Sequence, residues 1–509
     1  MGHAHYCGVA RSRRLREWSC RGHTGSIARA QPRWRIIPSP SESSLVAVCD
    51  ILCINGVFMR LIAVTLLCAL AAASSAQSSS PATQSLSTSA EDINSIPAFD
   101  NHAHPMLSPP DDATDRNFDA LPVESMAPQT DPAAYRPDNP QLADAWRALF
   151  HVDLSTPLDA AGTAKLAAAR AAVKAREGAH YSAWVLDQAN IRTMIANRVA
   201  MGNGVRPPRF LWVPYDDALL FPLDNTAAAN TPDRAQFFPL EDKLRARYLA
   251  DAHLAALPAT LDDYLHRLVY PTLRSQHDGG AIAIKFELAY LRSLNISDPA
   301  PADTPADAAR AADIYARYVH GGAPTPADYK LLQDFLFRAI AFEAGRLGMA
   351  VHLHDLAGAG RYFSITGVNP LNLEALFNDP RLAHTNFVLL HGGWPFVHEA
   401  GALLQKPNVY LDLSQQAIMI PPRTLATWLR EWLELYPDKV LFGTDGYPFS
   451  ETFGWEEATW LGARNARKAL AIALTGMEQD GEISPARATE LAHMVLHRNA
   501  ETLYDLPRR

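Results

Sequence analysis

The amino-acid sequence predicts an α/β fold, a (β/α)8 TIM barrel with long insertions after strands 1 and 3. Three observations support this: eight short apolar runs in series, helix-like stretches between them, and polar residues gathered at the carboxyl ends of the runs. Near-continuous apolar runs alternating with helices are the pattern of parallel strands buried on both faces. A barrel of this kind takes about 250 residues, more with insertions, so a chain of 509 residues accommodates one elaborated copy.

The runs, in order, are Ala98–His104, Thr193–Val199, Phe210–Tyr215, Ala281–Glu287, Ala350–His354, Phe387–His391, Val409–Leu413 and Val440–Gly443. The second and third are weak on periodicity alone. Between them, Thr156–Glu177, Thr304–Val319 and Thr325–Leu347 read as helices, each opening on Thr-Pro, a start signal. Trp455–Leu474 and Ser484–Leu503 follow the last strand as helices. Two connections are long, Pro105–Ile191 and Asp216–Gly280. Insertions of that size usually carry structure of their own and often cap an active site. Their Pro- and Asp-rich stretches, Ser108–Asp119 and Ala127–Pro140, read as surface cover.

Composition narrows the chemistry. All five cysteines (Cys7, Cys20, Cys49, Cys53, Cys68) precede residue 69, so the body has neither a disulfide framework nor thiolate ligands. Any metal site there must use His, Asp, Glu or Lys. The net charge is −8, and residues 1–58 hold eight arginines against three acids. The acidic excess therefore lies in the body, which speaks against a nucleic-acid surface, since that needs a basic footprint.

From Met59 the chain reads Met-Arg, an uncharged apolar run Leu61 to Ala73, then Ser74-Ser75-Ala76. This is the pattern of a signal peptide over 59–76 cleaved near Ala76, and it predicts a secreted or periplasmic protein without a stable membrane anchor. Residues 1–58 are expected not to belong to the natural mature protein. The competing reading starts at Met1, with Ser44 to Ala73 as an anchor. Residues 77–92 are a Ser/Thr-rich linker with too little apolar surface to fold. The barrel domain is expected over 93–509.

Asn101-His102-Ala103-His104-Pro105 ends the first strand, and the two-residue period of a strand puts both imidazoles on one face. His352-Leu353-His354-Asp355 repeats the pattern at the fifth strand, His391-Gly392-Gly393 ends the sixth, and Gly443-Thr444-Asp445-Gly446 ends the eighth. Singly, a strand-end His can cap a carbonyl and an Asp before Gly can make a turn. Jointly they surround one axis at the face where barrels of this type place their active sites.

On these residues the chain resembles the amidohydrolase superfamily, in its amidohydrolase-related branch. It is similar to the amidohydrolase-like half of fungal glutamine-synthetase fusion proteins. Lys285 with Ala289-Tyr290-x-Arg292, and Asn499-Ala500-x-x-Leu503-Tyr504 in the closing helix, extend the resemblance over Ile93 to Leu506. It also guides the count of eight strands. The resemblance implies that His102, His104, His354 and Asp445 are metal ligands. His391 is implied as a ligand of a second metal or a group that polarises the substrate. Lys285 is implied as a bridging ligand if carboxylated, or else as the partner of a substrate carboxylate; the bland alternative is a salt bridge to Glu287. Arg292 reads equally as a substrate anchor or part of a solvated face, and His352 as a supporting histidine. Trp212, Tyr215, Trp394 and Tyr447 stand at or beside strand ends, where they line the pocket or merely pack.

The donor set suits zinc, with manganese, iron or cobalt open, in one or two ions. The implied reaction is hydrolysis of an amide, lactone or ester carbonyl of a small molecule. Asp445 takes a proton from a water acidified by the metal and returns it to the leaving group, while His391 stabilises the developing oxyanion. A metal-dependent non-oxidative decarboxylase of the same superfamily is the alternative, and a binding protein without catalysis the remote one. Oligomeric state stays open, with a homodimer the common form for such barrels.

Overall fold

A computed structural model describes residues 93–122, 131–297, 304–358 and 360–506. The signal peptide, the stretch before it, the linker 77–92 and all five cysteines lie outside the described residues. The chain divides into Met1–Ala82 and Thr83–Arg509, and every described residue belongs to the second unit.

Eight parallel strands run in chain order. They are β1 (Ala98–Ala103), β2 (Ile191–Asn197), β3 (Phe210–Val213), β4 (Ala283–Phe286), β5 (Ala350–His354), β6 (Phe387–Leu390), β7 (Val409–Asp412) and β8 (Val440–Leu441). They pair as β1-β2-β3 and β4-β5-β6-β7-β8. Single parallel bridges join Trp212 to Ala281 and Tyr215 to Lys285 across the β3–β4 seam. On the other seam the Asn101 N–H donates to Phe442 O, Asp445 N–H to His102 O and His104 N–H to Gly446 O, at 2.9, 2.8 and 2.9 Å. The barrel expected from the sequence is thus present, with backbone bonds bridging both seams. All eight strands overlap their expected runs, most plainly β6 and β8, where burial on both faces leaves only apolar residues.

Inside the ring, Phe99, Ile195, Val213, Ala283, Ala350, Val388 and Leu441 meet Ala500 of the last helix in one buried cluster. Tyr504 and Leu506 pack against it, so the chain's end closes the amino-terminal mouth of the barrel. Outside, the strands pack against helices that include α6 (Thr304–Tyr318), α7 (Pro326–Arg346), α9 (Pro422–Leu435), α10 (Trp455–Gln479) and the final helix, α11 (485–503). Thr325 and Ser484 cap α7 and α11 by accepting the N–H of the third residue on, each ahead of a Pro at the first helical position.

The insertion after β1 holds α1 (Gln141–Phe150), α2 (Ala160–Glu177) and α3 (Tyr181–Gln188). Thr156-Pro157 does not start α2: Asp159 caps it, accepting from Gly162 N, because its carboxylate stands directly before the first turn. Trp146, Leu149 and Trp184 of this insertion pack with Phe453, Trp455 and Leu461 beyond β8 in a second apolar cluster. The insertion after β3 carries α4 (Pro232–Asp251) and α5 (261–278). Between β6 and β7 lies α8 (Val397–Leu403). The Pro- and Asp-rich stretches are more than surface cover. Asp115 and Asp119 are buried, and Asp115 ties the insertion to the barrel through a fully buried pair with Arg198 at 2.8 Å.

Candidate active site

The carboxyl ends of the strands surround a cavity of about 350 Å³ lined by His104, Lys285, His354, His391 and Asp445, among others. At its floor, Asp445 Oδ1 stands 3.3 Å from His102 Nε2 and 3.4 Å from His104 Nε2. The His102 and His391 rings are 4.8 Å apart and those of His391 and His354 4.7 Å apart. Donor atoms of His102, His391 and Asp445 all lie within 4.8 Å of one another, the span of ligands around one ion. His104 joins them through Asp445. His354 stands behind His391, its Nε2 3.1 Å from Leu356 O.

Two of these residues have strained backbones. His391 has φ of 71° and Asp445 of 56°, left-handed values that non-glycine residues rarely adopt outside sites where the surroundings over-determine them. The His391 N–H is held by Asp412 Oδ1 at 2.8 Å and the Asp445 N–H by His102 O. Gly392 and Gly393, at φ of 64° and 70°, complete the turn; a Cβ on Gly392 would fall 2.5 Å from the Gln416 side chain. Thr444, before Asp445, donates from N and Oγ1 to the buried Asp100, at 2.9 and 2.5 Å.

Burial sets the protonation. It pushes His104 down to about 4, and holds His102, His354 and His391 well below the usual histidine range, with the Lys285 charge adding to it. All four imidazoles are therefore neutral at pH 7, the form that can ligate a cation. Burial also raises Asp445, to about 8, against the opposing pull of Lys285. Both ring nitrogens of His102 are buried without a hydrogen-bond partner, and so is Lys285 Nζ. Burying polar groups in that state is costly unless something occupies the space between them. His104 Nδ1 faces Phe118 O at 3.2 Å, and the Tyr215 hydroxyl at 3.0 Å. A ring proton donated from Nδ1 to that carbonyl leaves Nε2 free towards Asp445. The donors fit a divalent cation held by imidazole and carboxylate.

Several expectations change. Lys285 does not pair with Glu287: its Nζ and Glu287 Oε2 are both buried and without a hydrogen-bond partner. Arg292 is neither an anchor in the cavity nor a solvated residue. Its guanidinium is taken by Asp334 at 2.8 Å, Gln333 Oε1 and Asn295 O, which clasps the end of β4 to α7. Trp212 donates to Arg198 O instead of lining the cavity, and Tyr215 supports His104. Trp394 and Tyr447 do line it. His352 is the supporting residue expected, bonded to the Tyr504 hydroxyl. Asp119, Tyr135 and Tyr290 also line the cavity, and the sequence reading gave them no role. Tyr290 was legible in its motif and packs 4.6 Å from His354. Nothing local marked Asp119 or Tyr135, which come from the insertion.

A family model described as amidohydrolase matches residues 241–506, more than half of the chain. The chain belongs to the amidohydrolase family. Protein fluG of Emericella nidulans is 31% identical over 238 residues, covering 45% of this chain and 26% of that protein. The match thus spans about a quarter of that relative's length. Among solved structures, a protein assigned as a metal-dependent hydrolase from Lactobacillus casei ATCC 334 superposes with a TM-score of 0.53 at 14% identity, over 82% of this chain and 97% of its own. Uronate isomerase of Thermotoga maritima gives 0.55 at 13%, over 82% and 96%. Glucuronate isomerase of Caulobacter crescentus gives 0.53 at 16%, over 84% and 96%. At these identities the likeness is one of fold. The barrel fold of this amidohydrolase is thus shared with proteins named as a hydrolase and as isomerases.

Proposed function

We propose that this amidohydrolase is a metal-dependent hydrolase that cleaves an amide, lactone or ester carbonyl of a small molecule. The observation that carries the reading is the wholly buried His102, with neither ring nitrogen hydrogen-bonded, facing Asp445 and His391 across the floor of the cavity. His102, His104, Asp445 and His391 would hold the first ion, zinc by donor type, with His354 and a carboxylated Lys285 available to a second. When bound, the cation supplies Lewis-acid polarisation and a water acidic enough to ionise near neutral pH.

The chain's own groups do the rest. Asp445, within 3.4 Å of both His102 and His104, accepts the proton of the attacking water and gives it to the leaving group. His391 would hold the ion through the lone pair of its site-facing nitrogen, placing the Lewis acid at the cavity floor without itself donating to the developing oxyanion. Trp394, Tyr447 and Tyr290 wall the cavity with apolar surface that excludes bulk water and receives the body of the substrate.

The test is elemental analysis of the full chain beside the His102→Ala/His104→Ala double variant, with a panel of amides, lactones and esters turned over in ¹⁸O-water. One or two equivalents of metal lost in the variant, and ¹⁸O in the acid product, are expected. No metal bound after zinc or manganese is supplied would overturn the reading. Carbon dioxide released from aromatic acids tested alongside, with none of the amides, lactones or esters cleaved, would replace it with decarboxylation.

A further inference from the structure

Hydrogen bonds at the ends of β6 and β7 converge on one carboxylate. Asp412 is fully buried. Its Oδ1 accepts from the His391 main-chain N–H at 2.8 Å, from Ser414 N–H at 3.1 Å and from the Ser414 hydroxyl at 2.6 Å. Its Oδ2 accepts from Asn101 Nδ2 at 2.8 Å. The only proton on Ser414 Oγ is thus committed to Asp412, and that oxygen can only accept from His391 Nδ1, 2.9 Å away. A neutral imidazole with its proton on Nδ1 has its lone pair on Nε2. The chain continues across the barrel axis. Asn101 Oδ1 accepts from the Tyr504 hydroxyl at 2.6 Å, and His352 Nε2 lies 2.7 Å from the same hydroxyl. Tyr504 has given its proton to Asn101, so His352 Nε2 is the donor there.

We infer that Ser414 and Asp412, backed by Asn101 and by Tyr504 of the closing helix, are positioning residues that fix His391 as its Nδ1–H tautomer and leave Nε2 as the nitrogen offered to the site. Asp412 holds both ends of the problem: it secures the strained main chain of His391 directly and its ring through Ser414. The last helix, which seals the opposite mouth of the barrel, thereby helps to set the chemistry of the active face. The inference rests on His391 being a working part of the proposed centre, yet its first test needs no metal.

Full-length protein labelled with ¹⁵N-histidine is stripped of metal, and its imidazole nitrogens are read by long-range ¹H–¹⁵N correlation, with His391→Gln assigning the signals. The wild type is expected to show His391 protonated on Nδ1, Ser414→Ala to show a mixed or Nε2-protonated ring, and Ser414→Thr to restore the first pattern. Zinc titration of the same proteins should weaken by about 10–100-fold in Ser414→Ala and recover in Ser414→Thr. If the alanine variant does not fold, Ser414→Cys keeps the bulk with a weak acceptor and reads the same way. An Nε2-protonated His391 in the wild type, or nitrogen shifts unchanged in the variant, overturns the inference. Absence of zinc binding in the wild type would instead strike the proposed function and leave the tautomer result standing.

Discussion

Asp216, just past β3, is a buried carboxyl group whose replacement should stabilise the protein, and only on the alkaline side. One of its oxygens accepts from Gln276 Nε2 at 2.9 Å, and the other is buried without a partner. Burial raises its pKa from 3.8 to about 7, against the smaller lowering by Gln276. Between those two pH values the native state therefore holds a proton that the unfolded chain has released. Stability falls with rising pH wherever the native state binds more protons, so this group's contribution is intact below about pH 4 and lost as the pH passes 7. A pKa displaced that far corresponds to about 4 kcal/mol. Asp216→Asn keeps the acceptor for Gln276 and does not titrate. In urea or guanidinium unfolding followed by circular dichroism, the variant should match the wild type near pH 4. Its advantage should grow to a few kcal/mol by pH 8. An advantage equal at both pH values, or an asparagine variant less stable at pH 8, refutes the reasoning.

Arg198→Ala should cost about 3–5 kcal/mol, because it strands the fully buried Asp115 without its cation. It should also lower activity by loosening the insertion that brings Phe118 O to His104; thermal melts and turnover read the two effects, and a melting temperature within a degree or two of wild type would contradict it. Asp445→Asn should lower kcat by about 10²–10⁴-fold while retaining part of the metal; a variant that kept most of its activity would remove Asp445 from the proton transfer.

The strands and the histidines were legible for the same reason. A parallel strand buried on both faces must be apolar for nearly its whole length, so Val351 and Leu353, or Phe387 to Leu390, mark it without help from the rest of the chain. Where that run stops at a carboxyl end, a His or Asp stands out, and a two-residue period tells which of them share a face. His102, His104, His391 and Asp445 came together on those grounds. Arg292 failed the same logic because it stands past a helical turn beyond β4 and its partner, Asp334, lies on α7, and no local pattern pairs a loop arginine with one acid of a distant helix. Asp119 was hidden in a stretch whose composition resembles any polar surface loop.

The sequence by itself determined most of the strands, their order and the face on which the chemistry gathers, through local periodicity and apolar content, while the count of eight also leaned on the family resemblance because the second and third runs are weak on periodicity alone. Only the tertiary structure decided which groups are charged, which are paired and which way each ring is turned. Asn101 and Asp412 are 311 residues apart and exchange a hydrogen bond at 2.8 Å. The neutrality of the histidines and the raised pKa of Asp445 come from burial among neighbours drawn from separate strands. Interactions of this kind depend on distance through a low-dielectric interior, and that distance exists only once the ring has closed.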